Sequence, residues 1–259
     1  MLKRLIGAVI VKDDWVVQSI GYKKYRPIGR VEIVVENLDK WQLEEILIID
    51  ISRSIKHLGP NFAMLEKINS LKISTPLAYA GGIKSAAEAI EVIKSGADRV
   101  GIESLFDEDP EIFKEISSAI GKQAIILMQA LTIKDNQLKK FLYLTQETKS
   151  MNIHDLSLYL DYFSELLVID YRNEGHKAKF NPKLVKFFGN DYQLICFGGI
   201  SSSAQIRTLL NNKNVSALAI GNFLNYKELA NWNLLKKLKS VSSRQITYGK
   251  QSRGIMEWQ

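Results

Sequence analysis

Leu47-Ile48-Ile49-Asp50 followed by Ala80-Gly81-Gly82-Ile83, then Leu167-Val168-Ile169-Asp170 followed by Phe197-Gly198-Gly199-Ile200, place the same pattern twice in one chain. Each copy is an apolar run closed by an aspartate, then a second run that turns on two glycines. A further pair, Ala97-Asp98-Arg99-Val100-Gly101-Ile102 and Val215-Ser216-Ala217-Leu218-Ala219-Ile220-Gly221, keeps a similar offset of about 120 residues. A half-domain used twice in this way predicts an α/β chain folded as a closed (β/α)8 TIM barrel with an internal half-barrel repeat, its ligand sites at the strand ends.

Working outward, eight short apolar runs fit buried parallel strands: Leu5-Val11, Ile46-Ile49, Leu77-Ala80, Arg99-Ile102, Ala124-Met128, Leu166-Ile169, Gln193-Phe197 and Ala217-Ile220. Helical spacing of apolar residues lies between them, over 86–93 before Gly96, 110–116 before Gly121, and 203–210. One insert breaks the rhythm: residues 132–151 predict a hairpin or long loop over the ligand-bearing end. The 259 residues match one such barrel, so residues 1–259 read as a single domain, with a basic tail over 236–259.

Composition narrows the function. No run approaches a membrane span and Met1-Leu2-Lys3-Arg4 opens without a signal-peptide stretch, so a cytoplasmic protein with no membrane partner is expected. The single Cys196 excludes an internal disulfide and reads as packing. Three dispersed histidines, His57, His154 and His176, write no metal cluster, and neither a metal nor a cofactor is expected. A net charge of +7 is spread along the chain without a zinc finger or RNP-like motif, which argues against nucleic acid and leaves room for anionic small molecules. Gly81-Gly82 before Ser85, and Gly198-Gly199 before Ser201-Ser202-Ser203, form two strand-to-helix turns that expose backbone N–H groups to an anion; tight turns require such glycines in any case.

The serial order Lys3-Arg4-Leu5-Ile6, Val11-Lys12-Asp13, Leu47-Ile48-Ile49-Asp50-Ile51, Ala80-Gly81-Gly82-Ile83, Ala97-Asp98-Arg99-Val100 and Phe197-Gly198-Gly199 resembles the cyclase subunit of imidazole glycerol phosphate synthase, the HisF family, from Met1 to about Leu235. That resemblance implies a HisH-like glutaminase partner that makes ammonia, a path for it up the barrel, and a ring-closing reaction on a phosphorylated ribosyl-aminoimidazole substrate at the top. It also implies two catalytic aspartates, and their positions here hold Ile10 and Ala130, which cannot exchange a proton. Gly82, Ser104, Gly175, Gly199 and Gly221 match the family's phosphate-holding places, whereas Glu103 replaces an Asn and Asn222 a Ser. Glu103 is expected to repel a nearby phosphate. At the opposite end, the family's ring of four charges that gates ammonia matches Arg4, Glu45, Arg99 and Glu165, and Asp98 matches a position facing the glutaminase. The plainer alternative is four solvent-facing charges that flank strands.

Ile10 and the text Tyr22-Lys23-Lys24-Tyr25-Arg26-Pro27-Ile28-Gly29 resemble a HisF-like branch encoded with bacterial surface-polysaccharide genes. The resemblance to that branch implies an ammonia-conducting amidotransferase subunit that serves an ATP-dependent sugar amidotransferase in making acetamidino sugars of lipopolysaccharide O-antigen, with no cyclisation of its own. Two alternatives stand beside it. One is a true cyclase, a lyase of histidine biosynthesis, drawing its acid and base from Asp50, Asp170 or Glu174; the other is a silent barrel that scaffolds or regulates a partner.

Overall fold

A computed structural model describes residues 3–221 and 224; Asn222 and the basic tail expected over 236–259 lie outside the described residues. The chain runs through β1 (Arg4–Lys12), β2 (Trp15–Ile20), β3 (Lys24–Arg30), α1 (Val31–Lys40), β4 (Glu45–Asp50), α2 (Ile51–Ile55), α3 (Phe62–Ser70), β5 (Leu77–Ala80) and α4 (Ala86–Lys94). It continues through β6 (Arg99–Ile102), α5 (Ser104–Glu108), α6 (Pro110–Ile120), β7 (Ile125–Lys134), β8 (Gln137–Leu142) and β9 (Glu147–Ser150). Then follow α7 (Ile153–Ser157), β10 (Glu165–Asp170), β11 (Leu194–Phe197), α8 (Ser203–Leu210) and β12 (Val215–Ile220).

Parallel pairing runs β1-β4-β5-β6-β7-β10-β11-β12 and returns from β12 to β1, which closes a barrel of the eight strands expected. Strand side chains alternate between its two faces. In β1, Ile6, Ala8 and Ile10 point into the barrel with Leu47, Ala78, Met128, Ala130 and Ala217. Leu5, Val9 and Val11 point outward to the layer shared with the helices, where Val34, Leu65 and Phe113 are buried. No helix among the described residues is long and apolar enough to cross a membrane.

The half-barrel repeat extends beyond the quoted motifs. Asn61 Nδ2 donates to Asp50 Oδ2 over 3.3 Å, and the Asn181 backbone N–H donates to Asp170 Oδ2 over 2.8 Å, each pair eleven residues apart. Each asparagine then caps a helical turn, accepting from the Met64 and Lys183 N–H groups respectively. The paired glycines hold this arrangement: a Cβ at Gly81 would stand 2.6 Å from the Asp50 carbonyl oxygen, and one at Gly198 2.7 Å from that of Asp170.

Hairpins also recur, one after the first strand of each half. Asp13 and Asp14 turn at φ 51° and 63° between β1 and β2; Asp135 and Asn136 turn at 52° and 58° between β7 and β8. Two successive positive-φ residues are the tight turn whose twist suits a hairpin, and Asp and Asn tolerate it best after glycine. The second hairpin fulfils the expectation for 132–151; the first, β2 with β3, was not expected. Its polar β3 contains Pro27, which the ladder accepts because among the described residues β3 pairs on one side only.

Candidate functional site

Arg4, Glu45, Arg99 and Glu165 begin β1, β4, β6 and β10, so they meet at the strand-start end of the barrel. They form a closed ring. Arg4 Nη2 lies 2.6 Å from Glu165 Oε2 and 3.4 Å from Glu45 Oε2; Arg99 Nη1 lies 2.7 Å from Glu165 Oε2 and 3.2 Å from Glu45 Oε1. None of the four side chains is more than 17% exposed, so the alternative of solvent-facing charges is overturned: such charges would point to water and leave their partners free.

Two serines missed in the sequence brace the ring. Ser216 Oγ donates to Glu165 Oε1, and Arg99 Nη2 donates to Ser164 Oγ over 2.8 Å. Burial raises the Glu45 carboxyl above its ordinary range, outweighing the pull of Arg99 and Arg4. Burial acts on Glu165 as well, but Arg4, Arg99 and Ser216 together overcome it and hold that carboxyl low. Beside the ring, Asp98 is exposed, and its Oδ2 accepts from the Leu77 N–H over 2.8 Å. Above the ring the inward side chains are apolar, from Ile6, Leu47 and Ala78 to Ile169 and Ala219.

At the strand ends, Ile10 and Ala130 belong to that apolar interior, and neither β1 nor β7 contains a carboxylate. The three alternative acid–base residues are already engaged. Asp50 accepts from Ser52 and Asn61, Asp170 from Asn173 and Asn181, and Glu174 Oε2 from Ser19 Oγ over 2.9 Å. Burial raises all three carboxyls, yet each is held by hydrogen bonds that shape a loop.

The two glycine-pair turns, whose cups the sequence reading offered to an anion, line separate cavities. Gly82 and Ser104 line one of about 50 Å3 with Gly101, Glu103 and Tyr143; Gly175, Gly199 and Gly221 line another of about 180 Å3 with His176 and Ser201. Both glycine turns need positive φ, 72° at Gly82 and 75° at Gly199. The first cup also holds Glu103. Burial pushes its carboxyl up to about 7, against the attraction of Lys140, which weakens its expected repulsion of phosphate.

Aromatic side chains from both hairpins cover the inner apolar layer at this end. Tyr22 lies 5.8 Å from Phe141 and from Tyr143, ring centre to ring centre, and Phe141 stacks on Tyr171 at 4.6 Å. Tyr22 was noted in the sequence only as part of a resemblance. Its partner, the 140s hairpin, was visible as an insert, but no spacing rule connects two hairpins so distant in sequence.

Comparison with known proteins agrees with this geometry. A putative imidazole glycerol phosphate synthase subunit hisF2 of Vibrio vulnificus is 27% identical over 233 residues, 88% of this chain and 85% of the relative. A putative imidazole glycerol phosphate synthase subunit HisF of Leptospira interrogans is 23% identical over 236 residues, 88% of this chain and 92% of its own length. An imidazole glycerol phosphate synthase subunit HisF of Campylobacter lari is 30% identical over 151 residues, 58% of this chain and 59% of the relative. The sequence model of the histidine biosynthesis protein family matches residues 4–230, spanning the charged ring, both cups and both hairpins, and the chain therefore belongs to that family.

Proposed function

We propose that this barrel is the ammonia-receiving subunit of a glutamine-dependent amidotransferase, docked by its strand-start end on a HisH-like glutaminase. The observation that carries the proposal is the closed ring of Arg4, Glu45, Arg99 and Glu165 beneath an apolar barrel interior. A neutralised ring presents no net charge to a neutral nucleophile, and an apolar interior disfavours ammonium relative to ammonia. Asp98, exposed beside the ring, lies on the face we assign to the partner.

The opposite end supports transfer rather than cyclisation. Ile10 and Ala130 offer no proton exchange to a substrate held at the two cups. Ammonia would then pass to a third protein, in our reading an ATP-dependent sugar amidotransferase of surface-polysaccharide synthesis. The names of the relatives favour a second reading, a cyclase subunit of histidine biosynthesis, in which the five cup residues hold phosphate.

One assay separates the two. The purified chain is given the ribosyl-aminoimidazole substrate with saturating ammonium, which bypasses any glutaminase. No imidazole glycerol phosphate is expected; turnover at an ordinary cyclase rate would establish the second reading. If in addition no glutaminase is activated by the chain, a scaffolding role replaces both.

A further inference from the structure

The outward face of β7 reads Ile125, Leu127, Gln129, Leu131, three aliphatic residues interrupted by one carboxamide. Gln129 is 0% exposed, and among the described residues neither its Oε1 nor its Nε2 has a hydrogen-bond partner. An unpaired buried polar atom is costly, and a Leu would continue the stripe without that cost. Glu103 Oε1 is likewise buried and has no hydrogen-bond partner among the described residues. Both residues line a cavity of about 480 Å3, outside the barrel wall and beneath the β8–β9 hairpin, which adjoins the first cup through Glu103, Ser104 and Tyr143 and extends from there to Gln129 and Tyr159.

Its chemistry selects a class of ligand. Lys140 in the wall is paired with Asp107, and the exposed Lys149 is outnumbered by Glu108 and Asp155 in the same lining, so the site carries no net positive charge for a phosphate. Two further walls are aromatic: Phe106 and Tyr159 meet edge to face, centroids 4.9 Å apart. The space is therefore suited to a flat, neutral molecule of ordinary small-ligand size. A carboxamide offers a donor beside an acceptor, the pattern that pairs with an amino group next to a ring nitrogen, and a carboxylate accepts from the same kind of amino group.

We propose that this cavity binds an amino-substituted nitrogen heterocycle of the nucleobase class, with Gln129 pairing to its amino and ring-nitrogen edge and Glu103 accepting from the amino group. The site is independent of the ammonia path, so it stands whether or not the barrel conducts ammonia. Near neutral pH the Glu103 carboxyl can also donate, which lets it meet a ring nitrogen instead.

The test uses the whole chain, titrated with adenine, cytosine and uracil and followed by calorimetry and by the Gln129 side-chain amide resonance. Adenine or cytosine should bind saturably and shift that resonance, and uracil, which has no amino group, should bind at least about tenfold more weakly. Gln129→Leu should weaken the amino-bearing base by at least about tenfold while keeping the fold. Saturable binding of neither adenine nor cytosine, equal binding of uracil, or affinity retained in Gln129→Leu would each overturn the proposal. Should Gln129→Leu fail to fold, the wild-type resonance decides: an unmoved amide signal at saturating adenine and cytosine rejects the site.

Discussion

Arg99 Nη1 lies 2.7 Å from Glu165 Oε2, with 15% and 8% of the two side chains exposed. Removing one partner of a buried pair leaves the other charge uncompensated, which costs about 3–5 kcal/mol. Arg4 still reaches both carboxylates, so Arg99→Ala should fall near the lower end, about 3 kcal/mol by chemical denaturation at pH 7. Glu165 is held below its ordinary range, so its stabilising contribution is present above the unfolded carboxylate pKa and disappears as pH falls through the folded one. The mutational penalty should therefore shrink when the same measurement is made in acid.

Glu103 titrates in the opposite sense. Its carboxyl rises from 4.5 to about 7 on folding, so between those values the native state holds the proton more firmly than the unfolded chain. Stability should fall as pH is raised through this window, by no more than about 3 kcal/mol. Glu103→Gln should remove that part of the slope, and melting curves at pH 5 and pH 7 compare the two proteins directly. An identical slope in both would show that the carboxyl is hydrated.

The two aspartate–asparagine pairs differ in a way that mutation can read. At Asn61 the side chain caps α3 and its Nδ2 donates to Asp50 and, over 3.0 Å, to Asp14, whereas at Asn181 the side chain caps and the backbone N–H reaches Asp170. Alanine removes three bonds in the first case and one in the second. Asn61→Ala should cost about 2 kcal/mol and Asn181→Ala about 1 kcal/mol. Equal losses would mean that the Asn61 Nδ2 contacts with Asp50 and Asp14 contribute nothing.

Those pairs also mark where sequence reading succeeded and where it stopped. Asp50, Asp170 and the glycine pairs were legible because a strand end and a tight turn constrain residue type locally, and repetition made the constraint visible. The eight strands followed from apolar runs for the same reason. The first hairpin stayed hidden because β3 is polar and contains Pro27, and its pairing depends on the Asp13-Asp14 turn rather than on any apolar pattern. Its counterpart after β7 was found, and applying the repeat there would have placed it. The charged ring was reached through family resemblance alone, since four residues spread over 161 positions share no local signal. Gln129 passed unnoticed in a run that reads as an ordinary buried strand; its lack of a partner is a fact of three dimensions.

The ring makes its strongest prediction in coupled turnover. If Arg4, Glu45, Arg99 and Glu165 govern the passage of ammonia, Arg99→Ala or Glu165→Ala should leave the partner's glutamine hydrolysis in place while less nitrogen reaches the acceptor. A ring opened on one side retains an unbalanced charge, which draws water into the apolar interior and favours ammonium, a species that interior excludes. The readout is product formed per glutamine consumed in the reconstituted complex, repeated with free ammonium at the acceptor. The ratio should drop at least about tenfold with glutamine, the loss expected from about 1.4 kcal/mol of added barrel-crossing barrier, while the rate of product formation from free ammonium stays near the parent value. Because either variant also loses stability, both assays belong below its melting transition, and the ammonium arm doubles as the folding control. A ratio unchanged in both variants would leave the ring as a structural fastening of the barrel floor and route ammonia elsewhere.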